Sequence, residues 1–126
     1  MSKLLTPLEL KVMNILWEIE SGFVKDILDH WEDPNDDNKP AYNTVSTIVR
    51  ILKDKKGFVD IRAHGRTHEY FPIISQETYR KTFLKNAISS VFEGKVSSLV
   101  STLVGQDEIS QDELDELKSL IDEKDD

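Results

Sequence analysis

The chain has no cysteine among its 126 residues. Disulfides, thiolate metal sites and cysteine nucleophiles are therefore excluded. Glycine is scarce, five in all, and none of it forms a phosphate-cradling loop. No apolar run approaches membrane-spanning length, and the N-terminus lacks a signal-peptide pattern, so a cytoplasmic protein without membrane insertion is expected. Serine, histidine and carboxylates are present, but no spacing groups a nucleophile with its base. The sequence therefore asks for no enzyme activity, no cofactor and no metal.

What is present, 38% apolar and 32% charged residues, suits a soluble chain of one domain or two small ones. A net charge of −8 looks wrong for a nucleic-acid binder, but the charge is unevenly spread. Residues 1–38 hold 3 Lys/Arg against 9 Asp/Glu, and residues 105–126 hold 2 against 10. Residues 69–104 are near balance, with 4 against 3, whereas residues 39–68 hold 7 against 2. Attraction to phosphate is screened over about 8 Å at physiological salt. One basic segment can therefore bind DNA on an acidic protein, and acidic ends repel DNA from the wrong surfaces.

The basic segment contains an amphipathic helix over residues 42–56. Val45, Ile48, Val49 and Leu52 recur at steps of three and four on one face. The other face carries Asn43, Ser46, Thr47, Arg50 and Lys53. Short polar side chains stand at its start and cations toward its end, which suits a helix entering a DNA groove. Taken alone, such a face is more often that of an ordinary amphipathic helix with a solvated side.

Its surroundings favour DNA. Thr6-Pro7-Leu8-Glu9 is a capping box with Pro at the first helical position, and Leu5 and Leu10 stand as its hydrophobic staple. The helix should run to about residue 20, with Leu8, Val12, Ile15, Leu16 and Ile19 inward, until Ser21-Gly22 ends it. Trp17 reads as a core residue. Phe23 suits a short extended segment, and a second helix is expected over residues 24–31. His30 has no partner at ligand spacing. Residues 32–40 read as a loop.

After Gly57, residues 58–62 and 69–73 alternate as strands around a turn over 63–68. Two histidines in that turn, His64 and His68, lack a third ligand for a metal site. Arg62, His64 and Arg66 instead place positive charge where a wing meets the DNA backbone. Two scaffold helices, a recognition helix and a hairpin are the order of a winged helix-turn-helix. Base edges or nearby phosphates fall to Asn43, Ser46, Thr47 and Arg50. Backbone contacts fall to Lys39, Tyr42, Lys53, Lys55, Arg62 and Arg66.

Three further helices follow, over residues 75–93 and 95–104 and then from Ser110 into an acidic tail, the last opened by a capping box at Ser110 and Glu113 with Ile109 and Leu114 as staple. Their apolar stripes include Phe83, Leu84, Ile88, Val91, Leu99, Leu103, Leu114, Leu117 and Ile121. Three helices this short cannot bury such stripes among themselves, so a second copy of the chain is the expected partner. The fold class is thus mainly α with a small β-hairpin wing: a winged-helix DNA-binding domain over residues 1–74 and a helical dimerisation domain over residues 75–126.

Three stretches together resemble the penicillinase-repressor family, bacterial regulators that include the β-lactamase and methicillin-resistance repressors. They are Leu5-Thr6-Pro7-Leu8-Glu9 with Val12–Trp17, then Tyr42–Ile48 with Arg50 and Lys56-Gly57-Phe58. The third is Phe92-Glu93-Gly94 with Ser98-Leu99-Val100 and Ser110–Leu117. The resemblance implies a homodimeric repressor on a palindromic operator. It also implies release by proteolysis downstream of a membrane sensor of metalloprotease type, at a bond that falls here on Thr102-Leu103 where well-known members have Asn-Phe. Copper-responsive relatives carry C-terminal cysteines, which this chain lacks. Between Thr44 and Gly57 the chain is one residue longer than usual. An alternative from another class is a winged-helix adaptor that binds protein rather than DNA.

Overall fold

A computed structural model describes residues 4–31, 39–105 and 110–122. It divides into two compact units, Met1–Gln76 and Glu77–Asp126. The first holds helices α1 (Pro7–Ile19), α2 (Val24–Asp29) and α3 (Tyr42–Asp54), then strands β1 (Val59–His64) and β2 (Thr67–Pro72). Three helices leading into an antiparallel hairpin make a winged helix.

The opening of α1 is set locally. Glu9 N–H donates to Thr6 Oγ1 at 3.2 Å and Thr6 N–H donates to Glu9 Oε1 at 2.9 Å, so two donors that the helix leaves orphaned are satisfied reciprocally. Its buried face is Glu9, Val12, Met13, Ile15 and Leu16. This corrects the expected stripe: Leu8 is exposed and Met13 is fully buried. Leu8 shares a helix side with Val12 and Ile15, four and seven residues on, but it stands in the first turn, where packing leaves it exposed, whereas Glu9, Met13 and Leu16 are covered. A charged residue occupies the first slot of the covered side because Lys56 of the α3 end reaches it.

The end of α1 departs from expectation as well. Glu20, not a glycine, takes the positive φ of the cap, at 74°. Gly22 instead pairs with Tyr70, donating to its carbonyl at 2.9 Å and accepting from its N–H at 2.8 Å. A Cβ on Gly22 would stand 2.9 Å from Ile19 Cδ1 and 3.1 Å from Asp26 Cβ, so the glycine is there for close approach. The turn after α1 thus adds an edge to β2, whose other edge pairs with β1. Helix α2 stops at Asp29, with Trp31 N–H turned back to Leu28 O at 3.1 Å.

Helix α3 buries Val45, Ile48, Val49 and Leu52. With the inner faces of α1 and α2, and with Trp31, Phe58, Val59 and Tyr70, they form the core of this unit. The helix ends earlier than expected, at Asp54. Lys55 and Lys56 N–H both return to Ile51 O, and Gly57 takes φ +69° so that Phe58 N–H reaches Leu52 O. This helix end closes through a residue in the left-handed region, where glycine has no Cβ to clash. The strands run further than expected, to His64 and from Thr67, leaving a turn of only Gly65 and Arg66. Trp17 is half-buried and anchors the chain beyond the wing, donating its indole N–H to Ile74 O at 2.9 Å.

The second unit contains most of α4 (Gln76–Ser90), with α5 (Val96–Gly105) and α6 (Gln111–Asp122). Ser110 and Glu113 cap α6 reciprocally, at 3.0 and 3.2 Å. Tyr79 is buried, its ring 6.3 Å from that of Phe83. No residue of α5 is buried. Phe83 is 53% exposed and Val91 70%, while Leu84, Ile88, Leu99 and Leu103 are half-buried. Ile109 and the side chains of Leu114, Leu117 and Ile121 lie outside the described residues. No helix among the described residues is long and apolar enough to cross a membrane.

Candidate nucleic-acid interface

Packing of α2 against α3, and of the hairpin beyond them, leaves an open groove of about 770 Å³. Tyr42, Ser46, Arg50 and Lys53 line it from α3, and Arg66, His68 and Tyr70 line it from the hairpin. The spacing 42, 46, 50, 53 is one face of a helix, so a single row of side chains runs down the groove. Burial pushes the Tyr70 phenol above its ordinary range, although Arg50 pulls it down.

Asn43 and Thr47 lie on the neighbouring row of α3 and are exposed. Thr47 Oγ1 donates to Asn43 O at 3.0 Å, which leaves that hydroxyl able only to accept from a ligand. Arg50 Nη2 reaches Ser46 Oγ at a long 3.4 Å. Arg50 lines both the groove and a shallow hollow shared with Thr47, Ile51, Asp54 and Lys55. It is thus central among the candidates. Lys53 contacts the adjacent Asp54 at 3.2 Å. Lys39 is exposed but lines neither hollow.

The two wing arginines part company. Arg66, at the hairpin tip, lines the groove and has no ion pair among the described residues. Arg62 is the cross-strand partner of Glu69. Its Nη1 lies 3.7 Å from Glu69 Oε1, and its guanidinium sits 4.3 Å from the centre of the Phe71 ring. Successive strand residues point to opposite faces, and the groove is lined by Ile61, His68 and Tyr70 on one of them, with Thr67 reaching it from the start of β2. The histidines separate in the same way. His68 packs near Tyr70, whereas His64 meets Glu69 at 3.0 Å and the Phe23 ring at 5.4 Å.

Sequence reasoning missed Lys25, which adds a cation to the groove, and Asp26, which adds an anion. Neither has a local signature, because only the packing of α2 beside α3 brings them there. Lys56, counted in the basic segment, is bound to Glu9 and to Leu4 O.

A model of the penicillinase repressor family matches residues 5–123, spanning both units. The chain belongs to the penicillinase-repressor family. The methicillin resistance regulatory protein MecI of Staphylococcus aureus strain N315 is 28% identical over 116 residues, covering 92% of this chain and 91% of that one. The corresponding protein of Mammaliicoccus sciuri matches to the same extent. The penicillinase repressor of Bacillus licheniformis is 23% identical over 115 residues, covering 91% and 87% of the two chains. Members of this repressor family are regulators of transcription, not enzymes. Within Tyr42 to Arg50, one of the stretches that carry the family resemblance, Tyr42, Ser46 and Arg50 face the groove.

Proposed function

We propose that the chain is a DNA-binding transcriptional repressor acting from the cytoplasm as a homodimer on a palindromic operator. One observation supports DNA binding above the rest. On a chain of net charge −8, Arg50, Lys53 and Arg66 converge on one groove between a helix and a hairpin tip. In this reading α3 enters the major groove, with Asn43, Ser46, Thr47 and Arg50 toward the bases. Lys39, Tyr42, Lys53, Lys55 and Arg66 hold phosphates.

The second copy is supported by the other unit. Phe83, Val91 and Val104 are each at least half exposed. Short helices gain most of their stability by burying an apolar face, and a two-fold partner would cover these faces while presenting two recognition helices one DNA turn apart. Release by proteolysis is part of the proposal. The bond at Thr102-Leu103 lies inside α5, where Thr102 Oγ1 donates to Ser98 O at 2.9 Å. A protease that needs extended chain must first unwind that turn.

Selection of bound sequences from a random duplex library tests the core reading. A palindromic consensus, with affinity falling steeply as salt rises, is expected. Absence of duplex binding at low salt sinks it and leaves a protein-binding adaptor. Sedimentation of the wild type against Phe83→Asp tests the dimer, with a shift to monomer expected.

A further inference from the structure

Glu69 is the meeting point of three side chains on the face of the wing turned away from the groove. Ser21 Oγ donates to its Oε2 at 2.8 Å, His64 Nε2 donates to its Oε1 at 3.0 Å, and Arg62 Nη1 lies 3.7 Å from the same oxygen. We propose that Glu69 is the positioning residue of the wing: it pins the hairpin to the α1–α2 turn and withholds the charge of Arg62 from DNA, so that sequence-selective binding prevails over indiscriminate binding. This rests on the DNA-binding reading above.

A lone exposed ion pair is worth little, about 0–1 kcal/mol, and stability is not the point here. The arrangement differs from an ordinary cross-strand pair in what it joins. Ser21 lies 48 residues away in sequence, and it flanks Gly22, whose backbone already pairs with Tyr70. The Glu69 side chain therefore reinforces the backbone link between the turn and β2. His64 is braced on a second side by Phe23, from the same turn. Arg62 is held by the carboxylate and by the Phe71 ring together. The Ser21 hydroxyl, then His64, hold the Glu69 carboxyl below its usual range despite partial burial.

The consequence is electrostatic. Every phosphate neutralised by a cation steepens the salt dependence of binding without reading sequence. Arg62, engaged where it stands, adds nothing to that term, whereas Arg66 at the tip does. Removing the Glu69 charge frees a cation within reach of DNA that carries no sequence information, and loosens the wing that aims Arg66.

The test compares wild type, Glu69→Gln, Arg62→Gln and the double variant. Each is measured against a random-sequence duplex and against the tightest duplex selected from a library, over a range of salt. Glu69→Gln should bind the random duplex several-fold more tightly, with a log–log salt slope steeper by about 1, and should narrow the ratio between the two duplexes. Arg62→Gln alone should leave random-duplex affinity unchanged and should abolish the gain in the double variant. Unchanged slope and ratio in Glu69→Gln, or a loss of affinity in Arg62→Gln, overturns the proposal. Amide exchange on free protein covers the anchoring separately. Ser21→Ala should speed exchange in residues 59–72 without altering the salt slope, and unchanged exchange there counts against the pin. If wild type binds no duplex, the repressor reading fails, and the exchange result still decides the anchor.

Discussion

Lys56, just past the end of α3, donates to Glu9 Oε1 in the first turn of α1. The two residues are 47 apart in sequence, and the same ammonium also donates to Leu4 O at 2.9 Å. Both side chains are largely buried, at 21% and 9% exposure. Glu9 already caps α1 through Thr6, so one carboxylate fixes the start of one helix and the end of another. A cation that composition assigns to DNA is in fact part of the frame that holds α3.

Lys56→Met should therefore cost about 1–3 kcal/mol of stability, the range for leaving a charged partner without its donor. The salt slope of DNA binding should not change. Chemical denaturation together with a binding titration separates the two effects. A shallower slope with unaltered stability would make Lys56 a phosphate contact instead.

The same pair gives a pH dependence. Burial pushes the Glu9 carboxyl up, but the Lys56 hydrogen bond and charge, with the bonds to Thr6, outweigh it and leave it below its ordinary value of 4.5. A depressed folded value means the contribution is fully present above 4.5 and is lost as pH falls through the folded value. Unfolding midpoints of wild type and Lys56→Met should thus differ most at neutral pH and converge at strongly acidic pH.

The turn after α1 offers a pair of opposite effects. Glu20 sits at φ 74°, ψ −32°, a region that strains any residue with a Cβ. Glu20→Gly should stabilise by about 1 kcal/mol. Gly22→Val should destabilise by about 1–3 kcal/mol, because Asp26 Cβ must give way to the new side chain. Thermal melts of both variants check the signs. Equal effects would mean that φ and space do not distinguish these neighbours.

Arg50 and Arg66 line the same groove but should differ in kind. Arg50→Ala should weaken binding to the selected duplex by about 1–3 kcal/mol and relax preference at one position. Arg66→Ala should weaken all duplexes alike and reduce the salt slope by about 1. Uniform weakening by Arg50→Ala would make it a phosphate contact.

Local chemistry determined much of this protein. The Thr6–Glu9 and Ser110–Glu113 boxes, the inward stripe of α3 and the existence of a hairpin after Gly57 each depend on residues within a turn or two of one another. That is why the order of elements, and the polar face of α3 from Asn43 to Lys53, were legible in the sequence, while its division into a groove-facing row and a neighbouring one was not. What tertiary structure decided depends on partners tens of residues apart. Packing chose Met13 over Leu8 for the core and buried Glu9 because Lys56 arrives beside it. Pairing with Tyr70 turned Gly22 from a helix stop into a backbone contact. Strand register, set by how far β1 and β2 pair before the turn, put Arg66 at the groove and Arg62 on Glu69. In a strand one step of register exchanges the two faces, so composition could supply both arginines and could not say which of them faces the groove.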